Sequence, residues 1–444
     1  MKKTFLAQAL YATFACAGLS FSAYAGEAEL LQKIEKLAAE LESIKAELAA
    51  NRQKTDRVHQ QQEVFVSNMA SRDTHQIAAA GSDNAASAAL ASAGPATVVS
   101  SYGEINYSRP KNDASQAQAD VARAVIGLSH RFDEKTKMVA EFEWEHAIAS
   151  AGDKGEAEVE QLYVEHEFNN SLRAKAGLFL IPAGLLNTNH EPTAYFGVQR
   201  NFVETAIIPS TWREAGFALS GSHDNGISWD AGLTTGFDLT KWNAGETEGR
   251  VSPLASIHQE GQLAKSHDLS VHAALNWRGI PGLLLGASIF SGKAGHASTD
   301  FVANDSRISL WDVHARYTPG SWDLSALYAR GSISHTETLN LTFAGQPTPV
   351  PSTFYGWYLQ SAYKLWSTTG YSLTPFVRYE QVNTAASYSA MPQGLANATG
   401  ETEKIATLGA SFKIGEGVVL KADLQKFKRD SSLDRVNLGV GYAF

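Results

Sequence analysis

Residues 435–444 read Arg435-Val436-Asn437-Leu438-Gly439-Val440-Gly441-Tyr442-Ala443-Phe444, with an apolar or aromatic side chain at every second position from Val436 and small or polar residues between. Successive side chains of an extended chain leave opposite faces, so this stretch is a strand with one apolar face and one nearly bare face. Working back from it, the period of two persists as far as Pro95. Alternating segments fall near 98–107, 120–132, 137–148, 157–168, 172–181, 213–221, 227–237, 267–277, 283–291, 307–317, 322–331, 353–366, 372–382, 403–414, 418–427 and 435–444, about sixteen strands. Ala140, Phe142 and Trp144 point one way while Glu141, Glu143 and Glu145 point the other.

The connections between these segments separate a membrane barrel from a soluble sandwich. Even-numbered ones, near 133–136, 169–171, 222–226, 278–282, 318–321, 367–371 and 415–417, are tight turns of Gly, Pro, Asp, Asn or Ser type. Odd-numbered ones are longer, near 108–119, 149–156, 182–212, 238–266, 292–306, 332–352, 383–402 and 428–434. Long loops on one side and short turns on the other are the asymmetry of an outer-membrane β-barrel, and an even strand count puts both ends of the barrel in the periplasm. Trp144, Trp277, Trp322, Trp366, Tyr317, Tyr328 and Tyr363, near strand ends on the apolar parity, read as interface girdles against outer-membrane lipid.

Ahead of the barrel the period is helical. Ile34, Leu37, Leu41, Ile44 and Leu48 keep a heptad seam that continues more weakly through Asn51, Thr55, Val58, Gln62 and Phe65, which predicts a periplasmic coiled coil over 26–69. A single apolar stripe with no second helix to cover it calls for copies of itself, and Ile mixed with Leu along the seam fits a homotrimer, with trimer clamping or peptidoglycan contact as roles for the helix and a lone salt-bridged helix or a disordered spacer as the competing reading. Residues 70–97 are Ala- and Ser-rich and read as a linker, and the barrel is expected over 98–444. Met1-Lys2-Lys3, an apolar core from Phe5 to Phe21 and Ala23-Tyr24-Ala25 mark residues 1–25 as a signal peptide.

Composition removes several classes. Cys16 is the only cysteine, so no disulfide, thiolate metal site or Cys nucleophile is available beyond the signal. After Gly26 no apolar run approaches a helical membrane span. A net charge of −9 argues against a nucleic-acid partner. There is no Gly-x-Ser-x-Gly elbow, Walker loop, His-Glu-x-x-His or Cys/His cluster, so no enzyme, cofactor or metal is read. Glu145-His146 and Glu165-His166-Glu167 cannot converge without a bulge, because neighbours on a strand face apart. The competing classes are an outer-membrane hydrolase using His with Asp or Ser, and a trimeric adhesin, disfavoured because the helix precedes the barrel.

Inward parity reads as polar, as a water-filled lumen requires. Arg131, Arg173, Lys175, Arg316, Lys364, Lys413 and Lys421, against Glu167 and Asp323, suggest a basic periplasmic vestibule, faced by an acidic wall of Glu141, Glu143, Glu145 and Glu165. Loop 182–212 is the expected constriction, because Tyr195-Phe196-Gly197-Val198 and Phe202-Val203-Glu204-Thr205-Ala206-Ile207-Ile208-Pro209 are too apolar for a solvated loop. The lumen wall and a neighbouring subunit are the two surfaces on which it can pack. Arg200 and Arg213 then offer bidentate donors to carboxylate or phosphate. The candidate constriction and substrate-binding residues are Arg200, Glu204, Arg213, Glu214, Arg123, Arg131, Arg173, Lys175, Arg378 and Glu143.

The stretch Arg200 to Glu214, following Gly177-Leu178-Phe179-Leu180-Ile181-Pro182, resembles the third-loop region of the phosphate-selective porin O and P superfamily, and with a coiled coil ahead of the barrel the layout resembles its DcaP-type channels. The resemblance implies a sixteen-stranded trimeric porin passing small hydrophilic solutes by diffusion, favouring organic anions such as dicarboxylates. The acidic strands 137–168 and the lack of an arginine stack depart from the phosphate-selective members, so phosphate-selective and general porins remain as alternatives. The terminal strand ending in Phe444 resembles the signal by which bacterial barrels engage the barrel assembly machinery.

Overall fold

The computed structural model describes residues 96–390 and 399–444, and the signal segment, the heptad segment and the linker up to residue 95 lie outside the described residues. Sixteen antiparallel strands follow in chain order. The first eight are β1 (Ala96–Pro110), β2 (Gln118–Arg131), β3 (Thr136–Glu145), β4 (Ala157–Asn169), β5 (Leu172–Leu180), β6 (Arg213–Ser222), β7 (Ile227–Thr234) and β8 (Ser270–Ile280). The second eight are β9 (Leu283–Lys293), β10 (Arg307–Tyr317), β11 (Trp322–Ile333), β12 (Thr353–Tyr363), β13 (Tyr371–Ser387), β14 (Glu403–Ile414), β15 (Val418–Phe427) and β16 (Arg435–Ala443). β12 resumes after a break as Trp366–Thr368, and both pieces pair with β13. β1 begins at Ala96, two residues inside the stretch read as linker.

Each strand pairs with its sequence neighbour, and β16 returns to β1 from Ala443 opposite Tyr102 to Arg435 opposite Pro110. The sheet therefore closes and no backbone edge is left unpaired, the condition for strands to cross a membrane. Turn chemistry fixes one rim. Gly226, Gly282, Gly320, Gly370 and Gly415 all hold positive φ in the short connections, where a side chain would be strained. At Asp133 the carboxylate caps the amides of Lys135 and Thr136 instead, both at 2.8 Å. Every connection on this rim has two to four residues, and every one on the other has seven or more.

The outer surface carries what a soluble protein buries. Leu275, Leu285, Ile289, Val313, Leu359, Val377, Leu408, Leu424, Leu438 and Val440 are exposed on one parity of neighbouring strands. Aromatic residues flank them: Tyr317, Trp322, Tyr363, Trp366 and Tyr371 toward the short-turn rim, and Trp144 and Trp311 toward the other. Trp322 and Tyr363 lie 4.7 Å apart between ring centres. A closed barrel with an apolar belt and aromatic girdles is built for a lipid bilayer. Among the described residues no helix is long and apolar enough to cross one.

The inner wall departs from the uniformly polar face expected. On the long-loop half of β9–β12, Phe290, Ile308, Leu310, Leu327, Ala329, Ile333 and Phe354 point inward and are buried. Loops cover them. Val203, Ile207, Ile208 and Trp212 from the β5–β6 loop, Phe237, Leu239, Trp242, Leu254 and Ile257 from the β7–β8 loop and Leu339 and Val350 from the β11–β12 loop join them in one core. Trp212 stacks on Phe237 at 5.2 Å and meets Phe290 edge-on at 4.6 Å. Full burial of a large apolar side chain contributes roughly 1.5–3 kcal/mol, so this inner cluster fixes the loops to the barrel wall.

Candidate functional site

The loop joining β5 to β6, residues 181–212, turns into the barrel and stays there. Its ends are clasped by Asn187, whose Nδ2 donates to the carbonyls of Ile181 (2.7 Å) and Trp212 (2.8 Å) while its Oδ1 accepts from the Trp212 amide (2.7 Å). Between the ends it touches much of the inner wall. Arg123 of β2 donates to the His190 carbonyl, and Tyr195 donates to Glu104 of β1 at 2.7 Å. The Val198 amide donates to Asp423 of β15 and Ser411 of β14 donates to the Phe196 carbonyl, both at 2.7 Å. The Phe202 amide faces Glu380 of β13 at 3.2 Å.

Small residues let the loop come this close. A Cβ on Gly356 of β12 would stand 3.1 Å from Ile207. Cβ atoms on Gly439 and Gly441 of β16 would stand 3.0 Å from Val198 and 2.5 Å from Pro192. The bare face of the terminal strand is thus a seat for the loop. A short helical turn, Val203–Ile207, packs its apolar side on β11–β13 instead.

Glu204 is wholly buried in that turn, and its carboxylate serves as an internal anchor. Oε1 accepts from the amides of Leu185 (2.6 Å) and Leu186 (2.7 Å), and Oε2 from Asn201 Nδ2 (2.7 Å) and the Tyr358 hydroxyl (3.0 Å). Burial pushes its pKa up, and these four donors pull against that rise without cancelling it. Burial and the Glu104 charge also push the Tyr195 phenol up, so it remains a donor.

The arginines divide into held and half-open. Arg123 is buried with Nε 2.9 Å from Glu104, and its guanidinium lies 5.2 Å from the Tyr102 ring centre. Arg378 meets Glu380 at 2.7 Å. Arg213 does not offer a bidentate face to the lumen as expected, because it is buried between Glu158 and Glu260, the latter at 3.1 Å. Glu214, on the opposite parity, is closed in by Trp212 Nε1 (3.1 Å) and Thr235. Arg173 and Lys175 of β5 pair with Glu167 (3.5 Å) and Asp230 (3.0 Å). Arg316 pairs with Asp323 at 2.6 Å, so much of the expected basic vestibule is neutralised. Arg131 lies buried at the short-turn end of β2, away from the loop.

Arg200 differs. It is half-buried, and its hydrogen-bond partners are hydroxyls, those of Ser210 and Thr211 (3.0 Å). Glu143 is buried beside Arg123, while Glu145 and Glu158 remain half-exposed on the same side. Arg123 and Arg200 both lie within electrostatic reach of Glu143, while Glu204 faces Tyr358 of β12, and Arg131 and Arg173 stand at the short-turn ends of β2 and β5. Sequence parity missed Tyr102, Glu104, Glu160, Glu380 and Asp423, which hold the loop. Tyr102 and Glu104 share a parity with Asn106 that marks the inner face of β1, and that signal was available in the sequence.

A closed sixteen-stranded barrel with an inward-folded third loop defines the porin type of outer-membrane β-barrel. The chain matches OmpF of Salmonella typhi, solved with daunomycin, at a TM-score of 0.54 and 14% identity over 78% of this chain and 97% of that one. It matches the outer membrane channel DcaP of Acinetobacter baumannii at 0.50 and 14% identity, over 80% and 98%. Both likenesses are of fold. In sequence, the chain belongs to the family of an uncharacterized protein of Aquifex aeolicus (strain VF5), 30% identical over 352 residues, 76% of this chain and 78% of that protein. No family model matches it.

Proposed function

We propose that the protein is a diffusion porin of the outer membrane whose lumen is narrowed by loop 181–212, and that it passes small hydrophilic solutes with a preference for organic anions such as dicarboxylates. The observation that carries the anion preference is Arg200, a half-open guanidinium with hydroxyl partners, where Arg123, Arg213 and Arg378 are each bound to carboxylate. A planar donor fork of this kind suits a carboxylate or phosphate. The loop stretch Arg200–Glu214 also supports kinship with the phosphate-selective porin O and P superfamily. The heptad seam over 26–69 supports a homotrimer with its coiled coil in the periplasm.

A second reading has its own observation: Glu104, Glu141, Glu143, Glu145, Glu158 and Glu160 gather on β1, β3 and β4, and such a wall favours cations. The reversal potential of the purified protein in a planar bilayer under a potassium chloride gradient decides between them. An anion-selective potential that collapses in Arg200→Ala supports the first, and a cation-selective one refutes it.

A further inference from the structure

The barrel wall and the start of the loop bring three metal-ligating side chains together outside the Arg200 region. Glu141 of β3, Glu160 of β4 and His190 of the loop each offer one ligand atom, all within 4.8 Å of one another. Glu160 reaches the inside through a bulge: β3 and β4 pair Glu141 with Gln161 and then Phe142 with Val159, leaving Glu160 as the extra residue. That bulge lets adjacent residues Glu160 and Gln161 share the inner face.

Three details of the cluster point to a cation. First, His190 Nδ1 donates to the Asn187 carbonyl at 2.9 Å, which turns Nε2 toward the cluster. This outer-shell arrangement orients a metal-ligating histidine. Second, Nε2 stands 2.7 Å from Glu160 Oε1, and that oxygen is fully buried, so an imidazole nitrogen and a carboxylate oxygen already converge on one point. Third, the Tyr102 hydroxyl adjoins both, 2.8 Å from Glu160 Oε2 and 2.6 Å from Nε2, and Gln161 orients Glu141 at 2.6 Å. A polar cavity of about 70 Å³, lined in part by Glu141, Asn189 and His190, opens beside the cluster and has room for water.

We propose that Glu141, Glu160 and His190 bind a first-row divalent transition ion such as zinc, with Tyr102 or a cavity water completing four ligands. Imidazole with carboxylates suits such an ion better than calcium or magnesium. Ligand atoms around a tetrahedral zinc stand about 3.4 Å apart, so Glu160 and His190 need separate by less than about 1 Å. Because His190 is ordered by Asn187, the residue that clasps the loop's ends, the ion would staple the loop to β3 and β4.

The test is zinc titration by calorimetry, and cobalt titration by visible absorption, of chelator-stripped full-length protein in detergent. One ion per chain is expected, with tetrahedral cobalt bands. Glu141→Gln, at the half-exposed edge of the cluster, and His190→Ala should each weaken binding at least tenfold, while His146→Ala and His314→Ala should not. Heat-modifiable gel mobility confirms that each variant is folded, and if His190→Ala is not, Glu141→Gln decides. No stoichiometric binding, or equal affinity in Glu141→Gln and the parent, would overturn the proposal and leave the His190–Glu160 contact as a fastening of the loop alone.

Discussion

Glu204 shows how one side chain can hold a pore loop in place. Four donors converge on its carboxylate, so Glu204→Gln would set an amide NH₂ against two of them in either rotamer. The loop should lose about 1–3 kcal/mol of anchoring, the cost of leaving buried polar groups unpaired. Hydrogen exchange across 183–208 should rise in the variant, and unchanged protection would show the anchor to be idle. Glu260 gives a pH dependence. Burial pushes its carboxyl up, but His258 at 2.9 Å and the charge of Arg213 hold it below the ordinary range. Because its folded pKa lies below the unfolded one, its contribution is present above the ordinary carboxylate pKa of about 4.3 and lost as pH falls through the lower folded value. Proteolysis of the β7–β8 loop should therefore accelerate on acidification below about pH 4, and Glu260→Gln should flatten that profile.

At the scale of elements, the strands were legible in the sequence because a lipid-facing parity and a lumen-facing parity differ in polarity along nearly every segment. The site was far less legible. The inner face of β9–β12 is apolar where loops pack on it, which erases the alternation, and the bulge at Glu160 shifts one residue against simple parity. Pairings such as Arg213 with Glu260 join a strand end to a distant loop, and no period announces them. The terminal strand carried more than its alternation. Gly439 and Gly441 are small because the loop rests on them, so Gly441→Val should clash with Pro192 and cost about 1–3 kcal/mol of stability by overpacking. Urea titration followed by tryptophan fluorescence would register the loss, and a variant as stable as the parent would place the loop elsewhere.

For the whole molecule, the bilayer is the solvent of the outer face and the loops are the filling of the inner one. The barrel supplies a closed wall in which every strand is paired on both sides, and the loops then determine what the enclosed space admits. Loop 181–212 is attached to β1, β2 and β12–β15 by separate hydrogen bonds, so it should act as a fixed constriction. Single-channel conductance in planar lipid bilayers, compared between the parent and a variant with residues 189–199 replaced by a short Gly-Ser linker, tests this most directly. Steady open steps in the parent and distinctly larger ones in the shortened variant are predicted. Absence of conductance in both, or steps of the same size, would contradict a loop-narrowed diffusion pore.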